Sequence, residues 1–373
     1  MSDFEIRPIP AAEHAAYVAA QPSASFLQTP GWAAVKSEWR SESLGWYDGE
    51  RMVGAGLVLY RQMPRVKRYL AYLPEGPVVD WGAHDLGRWL RPLAAHAKKQ
   101  GAFGVRMGPP VVTRRWDAKT IKDALAGGEH PLLGDVPPDA TDAGGAAVTG
   151  QLKALGWRPP RAAEGFAAGQ PQYVFQLPLA GKDEDALLKG MNQLWRRNIK
   201  KATKAGVEVS VGSRADLKAF HALYAETAER DHFSPRPLPY FEVMYDALNG
   251  QAANCCELRL YNAHHEGDLV ASTIWVKVGQ HTWYSYGASS TAKRDVRGSN
   301  AIQWRMLADA LAGGATVYDL RGITDTLDPD DPHVGLIQFK VGTGGEAVEY
   351  VGEWDLPLNK ALYTAFDLYM RRR

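Results

Sequence analysis

The stretch Asp48-Gly49-Glu50-Arg51-Met52-Val53-Gly54-Ala55 runs into the apolar segment Gly56 to Tyr60. It has a counterpart far downstream, Glu266-Gly267-Asp268-Leu269-Val270-Ala271-Ser272, which runs into Thr273 to Val278. Each reads as a tight turn feeding a buried strand. A second pair follows. Gly101-Ala102-Phe103-Gly104-Val105-Arg106-Met107 comes after the helix-like Leu86 to Lys99, and Gly314-Ala315-Thr316-Val317-Tyr318-Asp319-Leu320 comes after the helix-like Ala301 to Leu311. In both, glycine ends a helix and a short strand begins. Either similarity alone is at chance level. Two in the same order and at similar separation imply a duplicated α+β unit.

The 373 residues are enough for two domains, each with its own core. Apolar residues at 45% and charged residues at 23% fit a globular protein. A net charge of +1 means that any polyanion must meet a local patch rather than a global field. Cys255 and Cys256 are adjacent, which suits neither a disulfide nor a zinc site, and points to a reducing compartment with both thiols in a strand as small hydrophobes. No metal is expected. Met-Ser-Asp-Phe-Glu-Ile-Arg lacks the basic and apolar regions of a signal peptide, and no stretch approaches the ~20 apolar residues of a membrane span. The expectation is a cytoplasmic monomer, compatible with visits to the inner face of the membrane.

Between the halves, residues 134–150 are rich in Gly, Pro, Ala and Asp and read as a loop. Leu155-Gly156-Trp157-Arg158-Pro159-Pro160 leads into a strand from Tyr173 to Leu177. Asp183 to Gly206 reads as one helix, with acids first, bases through its body and glycine at its end. The domain change is placed near residue 165. Residues 1–165 form the first domain, joined by a C-terminal helix within about 350–373, and residues 166–349 form the second.

Seven motifs then stand in order: Phe26-Leu27-Gln28-Thr29-Pro30-Gly31-Trp32 before Lys36 and Trp39; Tyr72-Leu73-Pro74-Glu75-Gly76-Pro77; Trp195 to Ala202; Glu226 to Phe233, leading to Arg236 and Tyr240; Tyr284 to Ser290; Tyr318 to Ile323; and Gly335 to Gly342. Each is weak alone. Together they resemble the FemABX family of non-ribosomal peptidyltransferases over nearly the whole chain, in its compact form without a long helical arm. The resemblance implies two tandem GCN5-related N-acetyltransferase-like domains with a cleft between them. It also implies transfer of an amino acid from aminoacyl-tRNA, as cosubstrate and without a bound cofactor, to the side-chain amine of a peptidoglycan precursor, either a UDP-muramyl-pentapeptide or a lipid-linked form. Two departures touch the acceptor. The family's Asp-Pro pair is replaced by Gly108-Pro109, and Glu75 stands where a base is common.

An aminoacyl ester is already activated, and no phosphate-binding Gly-x-x-x-x-Gly-Lys-Ser/Thr loop is present. What remains is positioning, removal of a proton from the amine and stabilisation of the oxyanion. From position alone Lys340, beside Gly342-Thr343-Gly344-Gly345, reads as a surface lysine on a turn. Its place in the family's active-site motif makes it the expected catalytic residue, at a strand end, with Phe339 walling the acceptor cleft or packing in the core. Thr29 is the expected N-cap and Pro30 the first residue of a helix carrying Trp32, Val35 and Trp39 inward, with Lys36 at the edge. Lys36, Arg236 and Tyr240 match the family's anchors for the precursor's diphosphate, with Tyr72, Tyr284 and Tyr286 as further candidates. Snorkelling, surface and packing roles are the plain alternatives. Lys189, Arg196, Arg197, Lys200, Lys201 and Lys204, with no acid between the first and last, are expected to meet the tRNA backbone, with Leu187, Met191, Leu194 and Trp195 facing the protein.

Three rivals stand beside this reading. An acyl-CoA N-acetyltransferase needs a pyrophosphate loop, but Lys293-Arg294-Asp295-Val296-Arg297-Gly298-Ser299-Asn300 has Asp295 where a base is wanted. A non-catalytic RNA-binding module leaves Phe339-Lys340 and the Arg236/Tyr240 segment without purpose. A tRNA-dependent ligase of peptide antibiotic biosynthesis keeps the chemistry and changes the acceptor.

Overall fold

The computed structural model describes residues 2–160, 169–331 and 333–371. The chain first lays down β1 (Glu5–Pro8), β2 (Arg40–Asp48), β3 (Arg51–Gln62), β4 (Tyr69–Leu73) and β5 (Ala102–Met107), neighbours in that order in one sheet. A second sheet takes β6 (Val112–Asp117), β7 (Ala140–Thr141), β8 (Tyr173–Pro178), β9 (Glu208–Gly212), β10 (Glu257–His265), β11 (Asp268–Val278), β12 (His281–Ser289), β13 (Val317–Gly322) and β14 (Glu346–Tyr350). Its order is β7-β6-β14-β8-β13-β12-β11-β10-β9. The last strand, β15 (Trp354–Pro357), returns to the first sheet beside β5. The helices are α1 (Ala11–Ala19), α2 (Trp32–Val35), α3 (Gly87–Lys99), α4 (Ala118–Gly127), α5 (Ala143–Ala154), α6 (Glu184–Gly190), α7 (Gln193–Lys204), α8 (Leu217–Arg230), α9 (Leu238–Asn249), α10 (Gly298–Ala312), α11 (Val334–Val341) and α12 (Lys360–Arg371).

The duplicated unit is visible in the pairing. β2 and β3 form an antiparallel hairpin, β3 pairs antiparallel with β4, and β4 runs parallel to β5 after the crossover through α3. β10, β11, β12 and β13 repeat those relations, with α10 as the crossover. The matching turns hold Gly49 and Gly267 at φ +64 and +86, the left-handed region where a side chain is strained. The fold is therefore mixed α/β, built as two acetyltransferase-like units.

Strand alternation sorts the core into layers. Leu57 and Leu59 join a core shared by the two units, with Phe26 and Trp32 from the first and Phe220, Phe241, Ile274 and Val276 from the second. Val58 and Tyr60 turn to the opposite face, under α3 and α5. Trp275, between Ile274 and Val276, points to the far face of the second sheet, under α10 and α11. α12 lies on the first sheet, where Tyr363 and Phe366 pack on Leu70 and Phe103.

Several expectations need correction. The domain change near residue 165 lies outside the described residues. Residues 112–117, placed in the first domain, pair as β6 with β14 of the second sheet. Of residues 134–150, read as loop, those from 143 onward belong to α5, capped by the Asp142 carboxylate on the Gly144 amide. Gly145 lets that helix press on the backbone of Val112, so these glycines serve close packing. The helix from Asp183 to Gly206 is two helices. Asn192 breaks it by capping α7 through the Trp195 amide at 2.9 Å. Thr29 is not the N-cap of α2, which is Gly31; its amide and hydroxyl both donate to the Phe26 carbonyl and close the short 3-10 turn Phe26–Gln28. Cys255 and Cys256 are buried, free thiols just ahead of β10 rather than within it.

Candidate active site between two pockets

A pocket of about 400 Å³ opens between the units, over their shared core. Lys36, at the C-terminal end of α2, Arg61 from β3 and Arg236 just before α9 converge on it. Burial lowers the Lys36 ammonium below its ordinary value, Glu38 opposes that, and the charges of Arg236 and Arg61 lower it further. Like charges gathered at one mouth make a site for an anion. Arg236 lies over the Tyr240 ring at 5.4 Å, and Lys36 stands 5.7 Å from the same ring. The Tyr240 and Tyr286 hydroxyls are 3.1 Å apart. Tyr284 does not join them. The register with β11 skips Ser285, pairing Ile274 with Tyr286 and Trp275 with Tyr284. This bulge sends two tyrosines of one strand to opposite faces. Tyr284 packs in the far core, with its ring on the surface of Gly287.

The wall of this pocket is a hydrogen-bonded chain drawn from both units. Tyr72 donates to Glu353 at 2.7 Å and accepts from the Gln170 amide at 3.2 Å. Arg321 donates to Gln170 at 3.3 Å and to Glu75 at 2.9 Å, and Glu75 accepts from the Ser25 hydroxyl at 2.6 Å. Both ends of the Arg321–Glu75 pair have left-handed backbone, φ +63 and +48, a strain that non-glycine residues bear chiefly at functional sites. Behind Tyr72, Arg106 binds both carboxylate oxygens of the fully buried Asp355 at 2.7 and 2.8 Å.

Both departures from the family pattern acquire a physical reason here. Glu75 forms an ion pair across the units. A Cβ at Gly108 would stand 3.3 Å from Glu353 Cγ, so a carboxylate at 108 would crowd and repel the one Glu353 already supplies. Burial raises the Glu353 carboxyl above its ordinary value. Sequence reasoning missed Glu353, Arg321 and Gln170. Arg321 lies within the Tyr318 to Ile323 motif without having been singled out there, and for Glu353 the signal was indirect, an acid absent at 108.

A second pocket, about 350 Å³, lies on the other face of the second sheet, among α7, α10 and α11. Asn192, Trp195, Asn198, Arg294, Arg297 and Phe339 are on its walls. Gly298 opens α10, and a Cβ there would meet Val270 at 2.8 Å, so the helix N-terminus sits hard against β11, and Gly298, Ser299 and Asn300 line the pocket. Phe339 packs on Trp195 at 4.8 Å and belongs to this pocket, not to the inter-domain cleft. Its carbonyl accepts the Trp195 indole N–H at 2.9 Å.

Lys340 stands in the partition. It is not at a strand end but in the last turn of α11, and it is only 3% exposed. Phe339 and Gln338 beside it line the second pocket, while Arg321, whose carbonyl it touches, lines the first. Its ammonium donates to the Gly322 carbonyl at 2.6 Å and the Arg321 carbonyl at 3.3 Å, which leaves a third N–H. Burial pulls its pKa down to about 7. Asp319 raises it, and Arg321 lowers it. A lysine poised near neutrality in a dry partition is suited to meeting developing negative charge.

The bases of α7 are divided by the break. Lys189 falls on α6, and Arg196 is half-buried with its guanidinium on the Lys189 carbonyl. Arg197, Lys200, Lys201 and Lys204 are exposed, and no acid lies within 4 Å of them among the described residues. Leu194, expected to face the protein, is 55% exposed and lines the second pocket. Arg197 and Lys201 continue the stripe of Leu194 and Asn198 away from that pocket. Among the described residues no helix is long and apolar enough to cross a membrane, and no group of side chains is placed to hold a metal ion.

The model of the FemAB family matches residues 9–256 and 251–371. The lipid II:glycine glycyltransferase of Staphylococcus aureus (strain USA300) is 26% identical over 94% of this chain and 92% of its own length. The crystal structure of FemX superposes with a TM-score of 0.81 at 24% identity, over 97% of this chain and 100% of that one. A tandem acetyltransferase-like protein from the clavulanic acid biosynthesis pathway superposes at 0.51 with 14% identity, over 95% and 99%.

Proposed function

This chain belongs to the FemAB family, and from that premise we propose that it is an aminoacyltransferase. It moves an amino acid from an aminoacyl-tRNA to a side-chain amine on the peptide of a peptidoglycan precursor, and so begins or extends an interpeptide bridge. The observation that carries this is the pair of pockets on opposite faces of one sheet, with Lys340 buried between them. Two substrates approach from two sides and meet at one ammonium.

The inter-domain pocket takes the acceptor. Lys36, Arg61 and Arg236 grip its diphosphate, and the Tyr240/Tyr286 pair walls its stem. The second pocket takes the charged 3′ end of the donor, with Arg294, Arg297 and the start of α10 on its phosphates and α7 along the backbone beyond. The acceptor nitrogen attacks the ester carbonyl carbon. The carbonyl electrons move onto oxygen, where Lys340 supplies charge. Collapse re-forms the carbonyl, breaks the ester C–O bond and releases the ribose oxygen, which takes up the proton lost by the amine. No covalent enzyme intermediate is needed.

The test is a transfer assay with tRNAs charged one amino acid at a time, against nucleotide-linked and lipid-linked muramyl-pentapeptide, read by mass. The expected result is a mass gain of one residue with one charged tRNA. Acetyl-CoA is the control arm. A product acetylated from it, with none from any charged tRNA, overturns the proposal.

A further inference from the structure

One surface plays no part in the reaction described. The turn joining β3 to β4 reads Arg61-Gln62-Met63-Pro64-Arg65-Val66-Lys67-Arg68, four bases without an acid. Arg65, Lys67 and Arg68 are exposed, and none has an acid within 4 Å among the described residues. The turn is held in shape by its own backbone, with Met63 and Arg68 paired at 2.8 Å. Lys98 and Lys99, also exposed and without an ion pair among the described residues, end α3 beside it. The Gly101 carbonyl just beyond them accepts the Tyr69 amide that follows Arg68. In a chain whose net charge is only +1, this is a concentrated patch.

Two apolar side chains accompany these bases. Val66, at the tip, is 41% exposed, and Leu368 on α12 is 50% exposed. Met63 joins turn to helix by packing on the same cluster as Tyr363 and Phe366. The patch is continuous with the acceptor pocket through Arg61, which lines that pocket and lies over the Phe366 ring at 5.7 Å.

We propose that the turn Met63–Arg68, with Lys98, Lys99 and the exposed side of α12, docks this chain on a membrane carrying anionic lipid, so that the acceptor reaching the inter-domain pocket is lipid-linked. The membrane half stands on charge and exposure alone; the acceptor half rests on the function proposed above. The bases of the turn and of the end of α3 have no acid among them and match an anionic lipid surface, and each contributes to attraction within a Debye length. Val66 at the tip and Leu368 on α12 add apolar side chains that suit entry into the headgroup region of a bilayer. A pocket that opens beside the docked surface takes a diphosphate at headgroup level while its lipid stays in the bilayer.

The experiment is cosedimentation of the full chain with vesicles of phosphatidylcholine alone, or of equal parts phosphatidylcholine and phosphatidylglycerol. The expected result is binding to the anionic vesicles only. The triple variant Arg65→Glu, Lys67→Glu, Arg68→Glu, with an unchanged melting temperature, should partition on the order of a hundredfold less. Val66→Asp should weaken partitioning severalfold. Transfer to a soluble nucleotide-linked precursor should be equal in wild type and triple variant, while transfer to a lipid-linked precursor in vesicles falls. Equal partitioning of wild type and triple variant, or no binding by wild type, overturns the docking surface. So does a triple variant that loses tRNA affinity and keeps its vesicles. Equal transfer to the lipid-linked precursor overturns the acceptor half. Vesicle binding lost on charge reversal, with no transfer to any precursor, upholds the docking surface and defeats only the transferase reading.

Discussion

In the inter-domain pocket the protein already holds several of the cations. Arg321 is bonded to Glu75 and Gln170, Arg106 to both oxygens of Asp355, and Lys36 stands 4.0 Å from Glu38. Around the second pocket Lys293 is paired with Glu266 and Asp268, but Arg294, Arg297, Arg197, Lys200 and Lys201 have no acid within 4 Å among the described residues. The first arrangement fixes geometry, since side chains braced by neighbours lose little freedom when a ligand arrives. The second leaves charge density, which a polyanion meets by releasing counterions with little demand on direction. A small acceptor that must present one nitrogen needs the first. A large donor held along its backbone is served by the second.

The largest effect should come where the two pockets meet. Lys340→Met should lower turnover by roughly a hundredfold or more, as does loss of an oxyanion donor. Folding carries a separate signature. The buried lysine titrates near 7 in the folded chain and near its ordinary 10.5 when unfolded. Below pH 7 wild type bears the full cost of a buried charge, and from 7 to 10.5 its stability rises with pH. The Met variant should therefore gain most in melting temperature below pH 7, and the gap should close as pH climbs toward 10.5. Near-normal turnover in the folded variant would remove Lys340 from the mechanism.

Next come the unpaired bases. Arg197→Glu, Lys200→Glu, Lys201→Glu should weaken tRNA binding by on the order of tenfold to a hundredfold and flatten its salt slope by about two to three. Acceptor binding should stay as it was. Filter binding over a salt series reads both. An unchanged slope would make α7 an ordinary charged surface, and the contrast between the pockets would fail.

Arg236→Ala should raise the acceptor KM about tenfold with kcat little changed, and should reduce its salt sensitivity. An unaltered KM would detach Arg236 from the acceptor. The smallest effect belongs to the wall. The raised Glu353 carboxyl favours the folded state below its unfolded pKa, and that advantage is lost as pH rises through the higher folded value. Glu353→Gln should match wild type at low pH, where the carboxyl is protonated in both states, and exceed it in stability at pH 7. Thermal melts across that range decide it, and a variant less stable than wild type at pH 7 would show that the carboxylate is needed as an anion.

What the sequence made legible was local. The two hairpins are written in turn chemistry at Gly49 and Gly267, and the crossovers in helix periodicity ended by glycine. Lys36, Arg236, Tyr240, Tyr72 and Tyr286 were found by motif, and they do share one pocket. Tyr284 was misplaced because one extra residue in β12 reverses its face, and no composition announces a bulge. The break at Asn192 hid inside a run of bases, where an asparagine reads as one more polar position until its cap is seen. Glu353 was out of reach because its partner Tyr72 is 281 residues away and nothing near either one in the sequence points to the other.

β6 leaves the first unit for the second sheet, and β15 comes back to the first from beyond residue 350. The consequence concerns the ribosome. The place of β14 between β6 and β8 stays vacant until residue 346 has been made, and the edge beyond β5 stays bare until residue 354. Neither unit can close while the chain is still being threaded out, so the usual order of one domain settling before the next begins is denied to this protein. The late-arriving ends must seal both sheets, and until they do the nascent chain bares the edges of β5, β6 and β8, which are open to pairing with another chain.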